Sequence, residues 1–123
     1  MTVAVIFSSR RTPAHDDEYA AMAARMDELA RQQPGFLEIM SVRDPVTREG
    51  VTVSFFADEA SARAWKQHPD HLEAQRLGRE QFYEEYRVWV ADVTRSYGEV
   101  ADGCAMDMCP QLSVMWSHAG RHP

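Results

Sequence analysis

Residues 64–71 read Ala64-Trp65-Lys66-Gln67-His68-Pro69-Asp70-His71, and this stretch divides the second half of the chain. Proline has no backbone N–H and disfavours helical geometry in the residue before it, yet it suits the first position of a new helix. We therefore predict one helix that ends near His68 and a second that begins at Pro69. Helical spacing places Trp65 and His68 on one face, with His71 about one turn further on. A helix break that presents an indole and two imidazoles is a candidate pocket wall.

The segments around this break alternate between strand and helix patterns. Four apolar or alternating segments predict strands, at residues 3–7, 36–43, 51–56 and 83–95. Two amphipathic segments predict helices. The first opens at His15 and stops at Pro34-Gly35, and the second follows an N-cap at Asp58. The order along the chain is thus strand, helix, strand, strand, helix, strand.

That β-α-β-β-α-β order is the ferredoxin-like arrangement, an α+β fold with both helices on one face of a four-stranded antiparallel sheet. The strands are apolar on both faces, because neighbours such as Phe55 and Phe56 point in opposite directions. Monomers seldom expose an apolar patch larger than a few hundred Å². We therefore predict a homodimer in which two sheets pack face to face and form a barrel-like core.

Length and charge limit the classes of function. The 123 residues fit one domain with a real core, and the net charge of −6 argues against a surface that binds nucleic acid. No apolar run approaches the roughly 20 residues that span a bilayer, and Val3–Phe7 is too short for the core of a signal peptide. The sequence predicts a cytoplasmic protein with neither nucleic-acid nor membrane partners.

The pattern of the chain changes after Gly98. Residues 1–98 are predicted to form the ferredoxin-like domain, and residues 99–123 a largely irregular C-terminal tail. The tail contains Cys104-Ala105-Met106-Asp107-Met108-Cys109, whose thiols and thioethers are soft ligands that suit Cu(I). The spacing is not a zinc pattern, and no second cysteine pair completes four ligands. No metal site is therefore predicted, and the cysteines are expected to be reduced.

Four segments carry a family resemblance: Pro34-Gly35-Phe36-Leu37, Ser54-Phe55-Phe56-Ala57-Asp58-Glu59-Ala60, residues 64–71, and Tyr86-Arg87-Val88-Trp89-Val90-Ala91-Asp92-Val93-Thr94-Arg95-Ser96-Tyr97. Together with the predicted architecture, they resemble the antibiotic biosynthesis monooxygenase family over about residues 2–98. The resemblance implies a dimeric α+β barrel. It is less specific for chemistry, because the family includes cofactor-free quinone-forming oxygenases, haem-degrading oxygenases and isomerases.

The cofactor-free branch of the family holds an electron-rich phenol or quinol and lets its anion react with O₂. The resemblance implies such a site here, without metal or flavin, in an apolar pocket between the sheet and the second helix. The candidate proton acceptors are His71 and His68, since an imidazole titrates near neutral pH. The candidate substrate-binding residues are Trp65, Phe7, Phe55 or Phe56, and Tyr83 or Tyr86.

Two alternatives remain open at this point. Haem-degrading members carry an Asn on the first strand, near Ile6 or Phe7, and a haem-ligating His near Ala74 or Gln75. This chain contains no Asn, and His71 would have to act from almost a turn earlier, so haem is disfavoured. The second alternative is a non-catalytic dimeric protein that binds a small hydrophobic ligand, or a metal sensor that uses the tail.

Overall fold

The structure, a computed structural model, describes residues 1–98. Its elements in chain order are β1 (Val3–Arg11), α1 (Asp16–Arg31), β2 (Phe36–Arg43), β3 (Glu49–Phe56), α2 (Glu59–Lys66), α3 (Pro69–Leu77), a π-helical turn (Gly78–Phe82) and β4 (Tyr83–Asp92). The predicted α+β fold and the break before Pro69 are confirmed. The Cys104–Cys109 segment and the rest of the predicted tail lie outside the described residues.

The four strands form one antiparallel sheet in the order β2-β3-β1-β4. β1 is four residues longer than the predicted Val3–Phe7, because the polar segment Ser8–Arg11 stays paired with β4. Backbone pairing does not depend on side-chain polarity, so an apolar run underestimates the length of a central strand. β4 ends at Asp92, three residues before the predicted end at Arg95.

The core lies between the helices and one face of the sheet. Phe56 and Val3 are fully buried there and pack with residues of α1 and α2, namely Ala30, Ala62 and Trp65. The Phe36 ring meets the Phe56 ring edge-on, with 6.0 Å between the centroids. At roughly 25 cal/mol per Å² of buried apolar surface, these contacts fasten the helices to the sheet.

The opposite face of the sheet has no helix over it within residues 1–98. Directly opposed residues form three rows across the strands on this face: Met40–Val53–Ile6–Trp89, Val42–Val51–Ser8–Arg87 and Glu38–Phe55–Ala4–Ala91. Trp89 is 45% exposed and Val51 is 40% exposed. We call these rows the open face. It carries the apolar surface from which the sequence predicts a dimer, although no second copy is present in the structure.

Each of the two helices that meet at the break has a side-chain N-cap. The Asp58 carboxylate accepts a hydrogen bond from the Ser61 N–H at 2.8 Å, as expected for the N-cap of α2. At the start of α3, the Asp70 N–H donates to His68 Nδ1 at 3.2 Å. Across residues 1–98, every helix falls short of the length and apolarity required to cross a bilayer.

Candidate functional site

A cavity of about 520 Å³ lies between the helices and the sheet, within the size range of small-molecule sites. Its walls are mainly apolar side chains from α1, β1, β2 and β4, including Val5, Met22, Met26, Ile39, Val88 and Val90, and β3 adds Thr52 and Ser54. Trp65 and His71 from the helix break line the same cavity. The predicted position of the pocket, between the sheet and the second helix, agrees with this placement.

A single hydrogen bond fixes the protonation pattern of the His71 ring. Its Nδ1 atom lies 3.0 Å from the carbonyl oxygen of Trp65. A carbonyl only accepts, so Nδ1 carries the proton and donates it, and Nε2 of the neutral ring keeps an unprotonated lone pair. Within residues 1–98, no side chain or backbone group hydrogen-bonds to Nε2. The ring is therefore held in the tautomer that a general base requires.

The surroundings of His71 favour its neutral form. The ring stacks on Trp65, with 4.3 Å between the centroids and 12° between the planes. Burial lowers the pKa of His71 below its ordinary 6.5; the bond to the Trp65 carbonyl opposes this, and the charges of His68 and Lys66 add to it. An imidazole with a lowered pKa is unprotonated at neutral pH and can accept a proton.

His68 has a different position from His71. Its ring centroid is 5.5 Å from that of Trp65, but its Nδ1 accepts the Asp70 N–H and its side chain does not line the cavity. An Nδ1 lone pair used in this way cannot also take a proton from a ligand. The structure thus gives His68 a capping role, and of the two candidate bases only His71 reaches the cavity.

The capping role of His68 predicts an effect on stability. We expect His68→Ala to lower the free energy of unfolding by about 1 kcal/mol, the usual cost of losing an N-cap acceptor. His68→Asn, which restores a side-chain acceptor, should recover most of that loss. Urea denaturation of the three proteins measures both changes. Equal stability of His68→Ala and the wild type would contradict the assignment.

The candidate substrate-binding residues fall into two groups. Trp65, Phe7, Tyr83 and Tyr86 line the cavity. Phe55 does not, because its side chain belongs to the open face, and its neighbour Phe56 is buried in the core. Consecutive side chains of a strand point to opposite faces of the sheet, so only one of Phe55 and Phe56 can face the helices.

Aromatic rings cluster at the end of the cavity nearest the start of β4. Phe7 meets Tyr83 edge-on at 5.2 Å and stacks on Tyr86 at 5.9 Å, and Tyr19 of α1 meets Tyr83 edge-on at 5.9 Å. Burial and the neighbouring Tyr19 phenol raise the pKa of Tyr83, so its hydroxyl stays protonated at neutral pH. The helical pattern of α1 gave no sign of this role for Tyr19, which the sequence analysis did not single out.

The π-helical turn sets the position of Tyr83. Gly78, its first residue, is required by close approach, because a Cβ there would lie 2.9 Å from two carbon atoms of the Tyr83 ring. The turn is tied to β1 through the Phe82 carbonyl, which accepts from the Thr12 N–H at 2.9 Å and from Arg11 Nε at 3.1 Å. Irregular turns of this kind often occur at functional sites.

Potential metal-binding side chains do not cluster in the part of the chain that the structure describes. No group of three or more His, Cys, Asp or Glu side chains converges within residues 1–98. The haem-ligand positions that the resemblance implies are occupied by Ala74 and Gln75, and both line the cavity. Neither has an imidazole, thiolate, thioether or phenolate for iron, so the wall does not fit haem in that arrangement.

These features together define a class of small α+β domains that have a largely apolar cavity between one sheet face and its helices, with a neutral histidine on the wall. The family comparison is more specific. The model of the antibiotic biosynthesis monooxygenase family matches residues 2–77, and the chain belongs to that family.

Two curated relatives are similar over most of the described residues. YqjZ of Bacillus subtilis is 44% identical over 92 residues, which are 75% of this chain and 79% of that protein. Jasmonate monooxygenase ABM of Pyricularia oryzae is 33% identical over 95 residues, which are 76% of this chain but only 44% of the fungal protein. The chain therefore spans less than half of the jasmonate monooxygenase.

Solved structures share the fold at low sequence identity. A variant of SnoaB, a cofactor-independent oxygenase from Streptomyces nogalater, has a TM-score of 0.67 at 16% identity, covering 80% of this chain and 98% of SnoaB. Rv0793 from Mycobacterium tuberculosis has a TM-score of 0.70 at 16% identity, covering 80% of this chain and all of Rv0793, 100%. At such identities the likeness establishes the ferredoxin-like α+β fold alone.

Proposed function

We propose that this protein is a small cofactor-independent monooxygenase that oxidises an aromatic, quinol or polyketide-like compound with O₂. The observation that carries the proposal is His71, a neutral imidazole held by the Trp65 carbonyl on the wall of an apolar cavity. The family supplies the reaction class. The names of two similar proteins, a jasmonate monooxygenase and a cofactor-independent oxygenase, support the same class.

The proposed reaction begins with a proton transfer. His71 Nε2 takes the proton of a phenolic O–H, which leaves a phenolate in the cavity. The phenolate passes one electron to O₂, which gives a phenoxyl radical and superoxide. These two species combine and form a C–O bond at a ring carbon. The peroxide takes the proton back from His71 and then loses water, which carries away the hydrogen of that ring carbon, so a phenol and O₂ give a quinone and water. Apolar walls make the phenol harder to ionise, and His71 supplies the base that this step needs. Once formed, the poorly solvated phenolate is a stronger electron donor to O₂.

Several residues that line the cavity have a role in this proposal. Trp65 stacks on His71 and holds its ring through the backbone carbonyl, so it positions the base. Phe7, Tyr83 and Tyr86 offer ring faces and edges to an aromatic substrate. The methionines of α1 are flexible side chains that adapt to irregular ligand shapes.

An oxygen-uptake experiment tests the proposal. Protein is mixed with 1-naphthol, 1,4-dihydroxynaphthalene or anthrone in an oxygen electrode, and quinone formation is followed by absorbance. With 1-naphthol, the expected result is protein-dependent uptake of one O₂ for each 1,4-naphthoquinone. Thermal stabilisation by these compounds without any oxygen uptake would instead identify a non-catalytic binding protein.

We also propose that the protein works as a homodimer in which the open faces of two copies pack together. The open face offers a continuous apolar row from Met40 to Trp89, and a two-fold axis lets the same surface cover itself. Because the cavity lies on the opposite side of the sheet, such a dimer leaves it accessible to a small ligand.

A further inference from the structure

The cavity has a second polar end, at Tyr19. We propose that the Tyr19 hydroxyl, positioned by Arg43, donates a hydrogen bond to an oxygen acceptor on the ligand. This inference rests on the proposed function only in taking the same cavity as the binding site. The acceptor is a carbonyl, carboxylate or phenolate oxygen. The ligand would thus be an aromatic compound that carries an acidic hydroxyl near His71 and a separate oxygen acceptor near Tyr19.

The contact between Arg43 and Tyr19 sets the direction of the tyrosine hydrogen bond. Arg43 Nη2 lies 3.3 Å from the Tyr19 hydroxyl oxygen. A guanidinium only donates, so the tyrosine oxygen accepts and its own O–H is left to point elsewhere. The Tyr83 hydroxyl is also a hydrogen-bonding neighbour of Tyr19. The Tyr19 oxygen has two lone pairs, so it can accept from both Arg43 and Tyr83 and still donate its own O–H to a ligand oxygen in the cavity. A donated bond from a cation also makes the hydroxyl a better donor, since chains of hydrogen bonds polarise one another.

Arg43 is held rigidly in place. Its Nη2 donates to Ser9 Oγ at 2.7 Å, and its Nη1 donates to the carbonyl oxygens of Arg48 at 2.7 Å and Ser9 at 3.4 Å. The partner across the sheet, Gly50, makes room for it: a Cβ there would lie 2.7 Å from Arg43 Cζ. These contacts hold the Arg43 guanidinium in one place, from which it orients the Tyr19 hydroxyl.

The charge at this end favours an electron-rich acceptor. No carboxylate within residues 1–98 forms an ion pair with Arg43, whereas Arg11 is paired with Asp16 at 3.0 Å. The Arg11 guanidinium lies 4.0 Å from the centroid of the Tyr19 ring, and that of Arg43 lies 5.5 Å away. Because the Arg11 and Arg43 guanidinium groups both lie near the Tyr19 phenol, its O–H is a stronger donor to a partially or fully negative oxygen.

The two polar groups lie on different elements of the cavity wall, Tyr19 in α1 and His71 in α3. Arg25 of α1 forms an ion pair at 3.3 Å with Asp70, the neighbour of His71, so these two helices meet beside the cavity. A ligand that reaches both groups must therefore carry its acidic hydroxyl and its oxygen acceptor on separate parts of its skeleton.

The test compares two probes of nearly equal shape. 2-Acetylnaphthalene carries a carbonyl oxygen, and 2-isopropylnaphthalene has no acceptor. Equilibrium dialysis without oxygen gives a Kd for each probe with the wild type, Tyr19→Phe, Arg43→Lys, Arg43→Gln and the exposed control Tyr97→Phe. The wild type should bind the ketone more tightly. Tyr19→Phe should weaken ketone binding about tenfold and leave hydrocarbon binding within about twofold, as expected for the loss of one buried hydrogen bond.

The Arg43 variants separate positioning from simple packing. Arg43→Gln should lose most of the preference for the ketone, and Arg43→Lys, which keeps a charged donor, should retain part of it. Equal weakening of both probes by Tyr19→Phe, no preference in the wild type, or no binding of either probe would overturn the proposal. A ketone preference without oxygen uptake would contradict the monooxygenase function and leave this inference standing. Oxygen uptake without a ketone preference would contradict this inference and leave the monooxygenase function standing.

Discussion

Replacing His71 by alanine is expected to lower kcat for 1-naphthol oxidation by about 10²- to 10⁴-fold, the usual contribution of a positioned general base. The reason is geometric. Nε2 is the unprotonated nitrogen of a ring whose other nitrogen is fixed on the Trp65 carbonyl, and the whole ring lies against the indole. KM should change little, because the apolar walls that bind the substrate remain. Initial rates of oxygen uptake measure both constants.

The pH profile of the wild type gives an independent check of the same role. Burial lowers the pKa of His71 below 6.5, so the base becomes available at a lower pH than an exposed imidazole would. The acid limb of kcat/KM should therefore fall below pH 6.5, and the rate should stay level through pH 7. His71 contributes to stability with the same sign: the unfolded chain binds its proton more readily, so stability falls as the pH drops below 6.5.

The matched control for His71→Ala is His68→Asn. His68 is three residues away and also close to Trp65, but it caps α3 and does not line the cavity. Its asparagine variant keeps a capping acceptor and should oxidise 1-naphthol at nearly the wild-type rate. If both variants lose activity equally, the helix break rather than one imidazole matters. If His71→Ala keeps full activity, the proposed base is wrong.

The helix break was the most predictable part of this fold. Pro69 alone indicates where one helix ends and the next begins, because the missing N–H and the restricted φ act locally. Asp58 and the element order are likewise local signals. The end of β1 was not predictable in this way, since Ser8–Arg11 has no apolar pattern and pairs only because two neighbouring strands lie beside it.

The cavity residues were predictable only in part. Trp65 and His71 stand out because of their types and spacing near a proline. The pairing register of β3 with β1 and β2 decides whether Phe55 or Phe56 faces the helices. No local sequence pattern predicts that register. Tyr19 looked like one more apolar position of a helix, and its significance comes from Arg43, a residue 24 positions further on in the chain. Hydrophobic periodicity reports local structure only, so it cannot predict a long-range contact such as that between Tyr19 and Arg43.

The two sides of the sheet serve different purposes in the proposed assembly. The rows that face the helices include Ser41–Thr52–Phe7–Val88 and Ile39–Ser54–Val5–Val90, and their members line the cavity. The open face has its own apolar rows. A chain that must line a ligand cavity and also associate with its copy needs apolar side chains at odd and even positions of the same strands. The proposed dimer and the proposed ligand site would together account for strands that are apolar on both faces.

Placing a charge at the centre of the open face is expected to separate the two copies. Val53 pairs directly with Met40 on one side and Ile6 on the other, so it stands in the middle of the longest apolar row. Each dimer would contain two Val53→Lys substitutions, because a two-fold interface uses the same surface twice. An unpaired charge buried in an interface costs about 2–5 kcal/mol, so two weaken association by at least about 10³-fold.

Sedimentation equilibrium at micromolar concentration measures this change. The wild type should sediment with the mass of a dimer and Val53→Lys with the mass of a monomer, while its circular dichroism keeps the α+β signature. The control is Val46→Lys in the β2–β3 loop, where the side chain is 87% exposed and the added charge meets only water. That variant should remain dimeric. A wild-type chain that sediments as a monomer, or a dimer that survives Val53→Lys, would show that the open face is not the interface.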